Sequence, residues 1–321
     1  MVIIVVADAA FKPELFKERL GKLGEVRVYE GPPSTMKEFL CRIDGADIAV
    51  VSHFKLPAEA FEVKNLKLVA LTRTGYDDVD LDAATKKCIA VANAPGYSNE
   101  AVAEHVFALL LSFTRRILEA DFWMREGRFD CTAFEGRELR GKTLGVLGMG
   151  RIGSRVAEIA LAFGMDVIAY DTRQVPMPAG RQRFRYVSLD RLYSESDFIT
   201  VHLPLTDDTK GLIDEEAFRL MKPSVILVNT ARGGIFDRDA LLQALEHGRI
   251  AGACLDVFDQ EPLIPDSPLL GLSNTLLTPH IAYNTREAKE LSILIAVENV
   301  ASFLQGKPRN VVNQAVLSIK Q

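Results

Sequence analysis

The stretch Thr143-Leu-Gly-Val-Leu-Gly-Met-Gly-Arg-Ile-Gly153 decides the fold. A short apolar run, Thr143–Leu147, enters a turn with glycines at 148, 150 and 153. A helical pattern, Gly153–Phe163, leaves it, and a second apolar run, Asp166–Tyr170, ends in Asp171, 18 residues past the last glycine. A GxGxxG string alone is weak, because glycines are common in turns. With a strand before it, a helix after it and an acid about 20 residues on, it reads as a dinucleotide-binding turn. Gly148 makes the tight turn. Gly150 leaves room for a pyrophosphate against the backbone, and Gly153 lets helix and strand pack closely. The helix N-terminus then offers unpaired N–H groups and partial positive charge to phosphates. A carboxylate at Asp171 suits ribose hydroxyls and repels a 2′-phosphate, so NAD is the expected cofactor; Arg173 nearby weakens that preference slightly.

Outward from this turn the same alternation repeats. Downstream lie Phe198–His202, Val225–Asn229, Gly252–Leu255 and Thr275–Leu277. Upstream lie Val2–Ala7, Val26–Tyr29, Ala46–Val51, Leu66–Leu71 and Ile89–Val91, separated by helical patterns at Pro13–Leu23, Ser34–Ile43, Pro57–Phe61 and Leu81–Lys87. Near-continuous Val/Ile/Leu runs are how strands covered on both faces read. Ser34 is the expected start of its helix, one residue off capping-box spacing from Glu38. After Pro95-Gly96 a long helical segment, Asn99–Leu118, has no strand close behind it and reads as a connector; Glu287–Leu304 is a second one. The expected class is α/β, with two doubly wound parallel-sheet domains.

Composition sets the outer bounds. The 321 residues carry 38 Lys and Arg against 43 Asp and Glu, a net charge of −5, which argues against a nucleic-acid partner held by a basic field. With 48% hydrophobic and 25% charged residues the chain can fill a core. No apolar run approaches the length of a membrane span, and no basic segment precedes Met1–Ala7, so neither membrane insertion nor a signal peptide is expected. Cys41, Cys88, Cys131 and Cys254 are widely spaced, without a CxxC pair; reduced thiols and a cytoplasmic location are the expectation. No histidine pair has metal-ligand spacing, so no metal is expected. Gly136-Arg-Glu-Leu-Arg-Gly-Lys-Thr143 matches the P-loop string, but it precedes a strand where a P-loop must follow one, and the match is read as accidental.

Three polar residues lie just past apolar runs in the second half: Arg232, Glu261 and His280. Ligands of open α/β sheets bind beyond the carboxyl ends of strands. Reducing a carbonyl by hydride requires a proton at its oxygen, and a histidine can give or take one near neutral pH. A carboxylate on the other ring nitrogen orients the ring and favours the imidazolium. An arginine fork binds a substrate carboxylate. Each alone has a plainer reading: a cap, an ion pair or a surface residue. Together, beside a dinucleotide turn, they describe chemistry on a 2-oxo or 2-hydroxy acid. His202, at the end of its run, is a further candidate on the cofactor side.

Leu147-Gly-Met-Gly-Arg-Ile-Gly153, Ser196–Pro204, Met221–Gly233, Leu255-Asp-Val-Phe with Glu261-Pro262, and Thr278-Pro-His280 occur in this order over nearly the whole chain. On these blocks the sequence resembles the D-isomer-specific 2-hydroxyacid dehydrogenases. The resemblance implies a Rossmann cofactor domain over residues 98–286 inserted into a discontinuous, flavodoxin-like substrate domain, residues 1–97 and 287–321, and hydride transfer between NAD and C2 of a small D-2-hydroxy or 2-oxo acid, such as lactate, glycerate, hydroxypyruvate or glyoxylate. It implies His280 as acid/base, Glu261 as its partner and Arg232 as substrate anchor. It places Gly148, Gly150, Arg151, Ile152, Gly153, Asp171, Pro204, Thr209, Thr230, Ala231 and Asp256 at cofactor positions, with Asp256 near the nicotinamide carboxamide. Thr74-Gly75 match the loop whose N–H groups hold the substrate carboxylate. A homodimer joined through the cofactor domains is implied as well. Gly127-Arg-Phe129 departs from the Gly-x-Trp common in the family, and Trp123 is not given that tryptophan's role. Alternatives on the same fold are an NAD-sensing corepressor-type dimer and phosphite-type oxidation; formate oxidation would pair the histidine with glutamine, where this chain has Glu261.

Overall fold

The computed structural model describes residues 1–175 and 183–319, and the chain divides into two compact units: residues 1–98 with 285–321, and residues 99–284.

The first unit holds β1 (Ile3–Ala9), α1 (Pro13–Leu20), β2 (Glu25–Glu30), α2 (Met36–Ile43), β3 (Ile48–Val51), β4 (Leu68–Leu71), α3 (Leu81–Lys86) and β5 (Ala90–Ala92). Its five strands are parallel in the order β2-β1-β3-β4-β5, the flavodoxin-like arrangement. Period-two alternation sends side chains of one strand to opposite faces. On β1, Ile4 and Val6 enter one core with Phe16 and Leu20, and Val5 and Ala7 enter the other with Phe39 and Phe61. Pro57–Phe61 reads as helical, and a 3-10 turn forms over Ala58–Phe61. The start of α2 differs from the expectation: Thr35, not Ser34, is the cap, its Oγ1 accepting from Glu38 N–H. The Glu38 carboxylate accepts from Ser34 N–H, so the spacing of the pair is the regular one, shifted by a residue.

The second unit opens with α4 (Asn99–Thr114) and α5 (Ile117–Arg125), then β6 (Thr143–Leu147), α6 (Arg151–Ala162), β7 (Asp166–Tyr170), β8 (Phe184–Tyr186), α7 (Leu189–Glu195), β9 (Phe198–Val201), α8 (Glu215–Leu220), β10 (Ile226–Asn229), α9 (Arg238–Glu246), β11 (Gly252–Leu255) and β12 (Thr275–Leu277). Seven parallel strands run β12-β11-β10-β9-β6-β7-β8, the doubly wound order of nucleotide-binding sheets. The winding direction reverses between β6 and β9, and the Gly-rich turn leaves β6 at that point.

Two features differ from the sequence reading. β8 was not expected: its three residues lie at the sheet edge, none of them buried, too short to show a period. The segment Asn99–Leu118 is not one helix; Arg116, at φ 52°, breaks it into α4 and α5. After the second unit the chain returns to the first through α10 (Arg286–Leu304), capped by Thr285, and α11 (Ala315–Ile319). Ile293, Ala296 and Val300 of α10 cover the Ile4/Val6 face of the first sheet. Among the described residues no helix is long and apolar enough to cross a membrane.

Candidate active site

The Gly-rich turn has the shape its sequence implies. Gly148 sits at φ 94°, and a Cβ there would lie 2.8 Å from His202 O. A Cβ on Gly153 would lie 1.9 Å from Gly148 O, so only glycine lets α6 start this close to β6. Gly150 caps α6, and a Cβ there would meet nothing within 4 Å: the space beside it is open. The first-turn N–H groups of Arg151, Ile152 and Gly153 have no partner within an α-helix. Asp171, at the end of β7, accepts from Met149 N–H through Oδ2 (2.6 Å) and from Arg173 N–H through Oδ1 (2.8 Å). The acid thus ties β7 to the glycine turn. Gly136–Thr143, the P-loop-like string, leads into β6 and opens no helix.

Other cofactor candidates gather at the carboxyl ends of neighbouring strands. After β9, Thr209 Oγ1 donates to Pro204 O (2.6 Å) and closes the 204–209 loop. His202 is half-buried, its Nε2 2.9 Å from Thr200 Oγ1, and burial pushes its pKa down to about 3, so the ring is neutral. After β10, Thr230 Oγ1 is buried and has no hydrogen-bond partner among the described residues. An orphan hydroxyl, an open cradle at Gly150 and an unpaired helix start fit a dinucleotide.

Arg232 follows in a turn built by Asn229, whose Nδ2 donates to Arg232 O (2.8 Å) and whose Oδ1 accepts from Ala231 N–H (2.9 Å). The Arg232 Nη1 donates to Ala231 O (2.7 Å). A Cβ on Gly233 would lie 2.0 Å from Phe258 C. That close backbone approach brings the Arg232 turn against the loop carrying Glu261. Asn229 and Gly233 were not singled out as site residues; a glycine immediately after the candidate arginine was the available signal.

Glu261 Oε1 accepts from Phe258 N–H (3.0 Å), and Oε2 lies 2.7 Å from His280 Nδ1. Burial alone would raise the Glu261 carboxyl, but the bonds from His280 and Phe258 N–H, with the charges of His280 and Arg232, outweigh it and hold it below the usual carboxylate range. An ionised carboxylate only accepts, so His280 Nδ1 carries the hydrogen and Nε2 is left for exchange with a ligand. His280 and Glu261 side chains are 42% and 36% exposed, open enough for a substrate to reach the ring. Tyr283 stands edge-on to the imidazole at 5.9 Å.

His280 has a left-handed backbone, φ 53°, and Asp256 imposes it. Asp256 O accepts from His280 N–H (2.8 Å). Its buried carboxylate accepts from Thr278 Oγ1 (2.6 Å), Ile281 N–H (2.8 Å) and Ala282 N–H (2.8 Å), with His105 Nε2 at 3.6 Å. Burial raises this carboxyl, and the nearby His105 with the bonds from Thr278 and the two N–H groups outweighs it, so it is held below its ordinary value. In this structure Asp256 holds the histidine loop, with all of these bonds inside the unit. His105, on α4, belongs to that support through its contacts with Asp256 and Thr278; nothing in its own position on the helix signals it.

In the first unit, Thr74 and Gly75 lie in the loop after β4. Thr74 Oγ1 donates to Ala94 O (2.9 Å). Among the described residues no protein acceptor takes the N–H of Thr74 or Gly75.

Comparison with known proteins gives the lineage. Residues 107–282 match the family described as D-isomer specific 2-hydroxyacid dehydrogenase, NAD binding domain. A glyoxylate reductase of Aeropyrum pernix is 46% identical over 271 residues, covering 81% of this chain and 80% of that protein. Two solved structures superpose over nearly all of it. An acyclic imino acid reductase in complex with NADPH and D-Arg has a TM-score of 0.88 at 36% identity, covering 97% of this chain and 100% of that one. A D-lactate dehydrogenase from Aquifex aeolicus, complexed with NAD and lactic acid, has a TM-score of 0.82 at 34% identity, covering 95% and 96%.

Proposed function

Since the chain belongs to the D-isomer-specific 2-hydroxyacid dehydrogenases and carries their NAD-binding domain, we propose that it interconverts a small 2-oxo acid and its D-2-hydroxy acid, with Arg232, Glu261 and His280 as the acting residues. The observation that carries this reading is the 2.7 Å contact of His280 Nδ1 with a Glu261 carboxylate held ionised, on a loop pressed against the Arg232 turn.

The nicotinamide, when bound, supplies the hydride in reduction and accepts it in oxidation. Gly148, Gly150, Gly153, Arg151 and Ile152 would hold the pyrophosphate, Asp171 the ribose, and Pro204, Thr209, Thr230 and Ala231 the remainder, with Asp256 acting from behind through the His280 loop it holds. Arg232 binds a substrate carboxylate through its fork of donors, and Thr74 and Gly75, whose N–H groups meet no acceptor among the described residues, are assigned to carboxylate binding as well. His280 Nε2 gives a proton to the carbonyl oxygen as C2 is reduced, and takes it from the hydroxyl in the reverse direction. Glu261 keeps Nδ1 protonated and stabilises the imidazolium.

Glyoxylate, hydroxypyruvate and pyruvate are the substrates to try first, since a glyoxylate reductase is among the similar proteins and a D-lactate dehydrogenase among the similar structures. Consumption of NADH is followed with each, and with 2-oxoglutarate and phenylpyruvate, then repeated with NADPH. Turnover of one or more acids with NADH supports the reading. Tight NADH binding without turnover of any of them would overturn it.

The working form is a homodimer. Support comes from α5, no residue of which is buried: Ile117, Leu118, Phe122 and Met124 are about half exposed or more, and Phe129 beyond the helix is 88% exposed. Large apolar side chains left exposed together on one helix mark an association surface.

A further inference from the structure

In the first unit, three asparagines from distant parts of the chain close a ring of hydrogen bonds. Asn93 N–H donates to Asn310 O (3.1 Å), Asn310 Nδ2 donates to Asn299 Oδ1 (2.8 Å), and Asn299 Nδ2 donates to Asn93 O (2.8 Å). Asn299 lies on α10 and is 1% exposed, so its amide has no water to fall back on. The ring uses only the backbone of Asn93. Its side chain reaches out of the ring, and Nδ2 donates to Thr74 O (2.8 Å).

The neighbouring bonds act in the same sense. Ala94 N–H donates to Arg73 O (2.9 Å). Arg73 Nη1 donates to Gly75 O (2.9 Å) and pairs with Asp78 at 2.6 Å. Three successive carbonyls, at 73, 74 and 75, therefore have donors inside the protein. In a trans peptide the C=O and the following N–H point in opposite directions. Drawing Arg73 O inward turns Thr74 N–H outward, and drawing Thr74 O inward turns Gly75 N–H outward. Among the described residues neither of these two N–H groups has an internal acceptor.

We propose that Asn93 is a positioning residue for substrate binding: by holding Thr74 O it aims Gly75 N–H at the substrate carboxylate, and the Asn299–Asn310 ring holds Asn93 in place. This rests on the reading of Thr74-Gly75 as the carboxylate loop. The C-terminal return of the chain then contributes to affinity for the acid, through a residue that does not touch it.

The test is Asn93→Ala and Asn93→Asp, assayed with the 2-oxo acid that the enzyme turns over best. The alanine variant removes the donor and leaves the ring, which uses backbone atoms of residue 93. The aspartate variant keeps the shape and sets a carboxylate against Thr74 O. KM for the acid is expected to rise about tenfold in the first and further in the second, with kcat and NADH affinity changed less than about threefold. Thermal unfolding is measured on each. An unchanged KM in Asn93→Asp overturns the proposal. Equal losses of kcat, NADH affinity and melting temperature overturn it too, because they describe general damage. Gly75→Pro, which deletes the N–H itself, separates the two levels. If it raises KM while the Asn93 variants do not, the carboxylate loop stands and the role of Asn93 falls. If neither raises KM, the carboxylate is held elsewhere and both fall.

Discussion

At the scale of single residues, the site is a set of polar groups whose states are fixed by their neighbours. Glu261 is the clearest case: burial pulls its carboxyl up, while His280 and Phe258 N–H pull it down, and the second group prevails. A carboxyl so depressed keeps its charge, and the stability it contributes, as pH falls through the ordinary glutamate value of about 4.3, and loses both only below that. Removing the imidazole should reverse the balance. In His280→Gln, a carbon NMR titration should place the Glu261 carboxyl higher than in the wild type; a value that stays put would mean the pair is not electrostatically coupled. The same variant should lower turnover by about 100-fold to 10,000-fold with NADH affinity nearly intact. Parallel loss of NADH binding in a fluorescence titration would put His280 in the cofactor site instead.

At the scale of elements, the helix start at α6 is where packing and binding meet. Its approach to β6 depends on Gly153, since a methyl there would overlap Gly148 O at 1.9 Å. Gly153→Ala should therefore push α6 away from the glycine turn, lower NADH affinity by about tenfold or more and destabilise the fold by about 1–3 kcal/mol. Titration and urea unfolding of the variant check both. Wild-type affinity would show that the turn tolerates movement. The elements also show where local pattern stops being informative. β1 and β10, buried on both faces, read plainly as apolar runs. β8 has no such run, because an edge strand of three residues, none of them buried, forms only when β7 is beside it. The break at Arg116 was invisible for a related reason: neither Gly nor Pro marks it, and the turn is held by the Arg116 guanidinium on Glu119 and Ala133 O.

At the scale of the whole molecule, the apolar face of α5 carries the prediction. Leu118→Glu with Phe122→Glu should convert a dimer into a monomer, read as a halved mass in light scattering. A wild type that is already monomeric at micromolar concentration would refute the dimer outright. Trp123, packed edge-on to Phe134 at 4.9 Å with Arg128 over its ring, is engaged within its own chain and is left in place in that test.

What the sequence determined by itself is whatever depends on period and adjacency. The parallel sheets follow from βα alternation, and the glycine turn follows from its neighbours on the chain. Arg232, Glu261 and His280 could be picked out from their place just past apolar runs, and the structure sets His280 Nδ1 2.7 Å from Glu261. The tertiary structure alone decided how those groups are held: the left-handed backbone of His280 on Asp256, the His105 ring behind it, the Asn93–Asn299–Asn310 ring, and the shift of a helix cap from Ser34 to Thr35. The reason is physical. Strands and helices obey local geometry, which repeats along the chain. A buried polar group needs a partner at hydrogen-bond distance, and that partner can come from 200 residues away, as Asn299 does for Asn93.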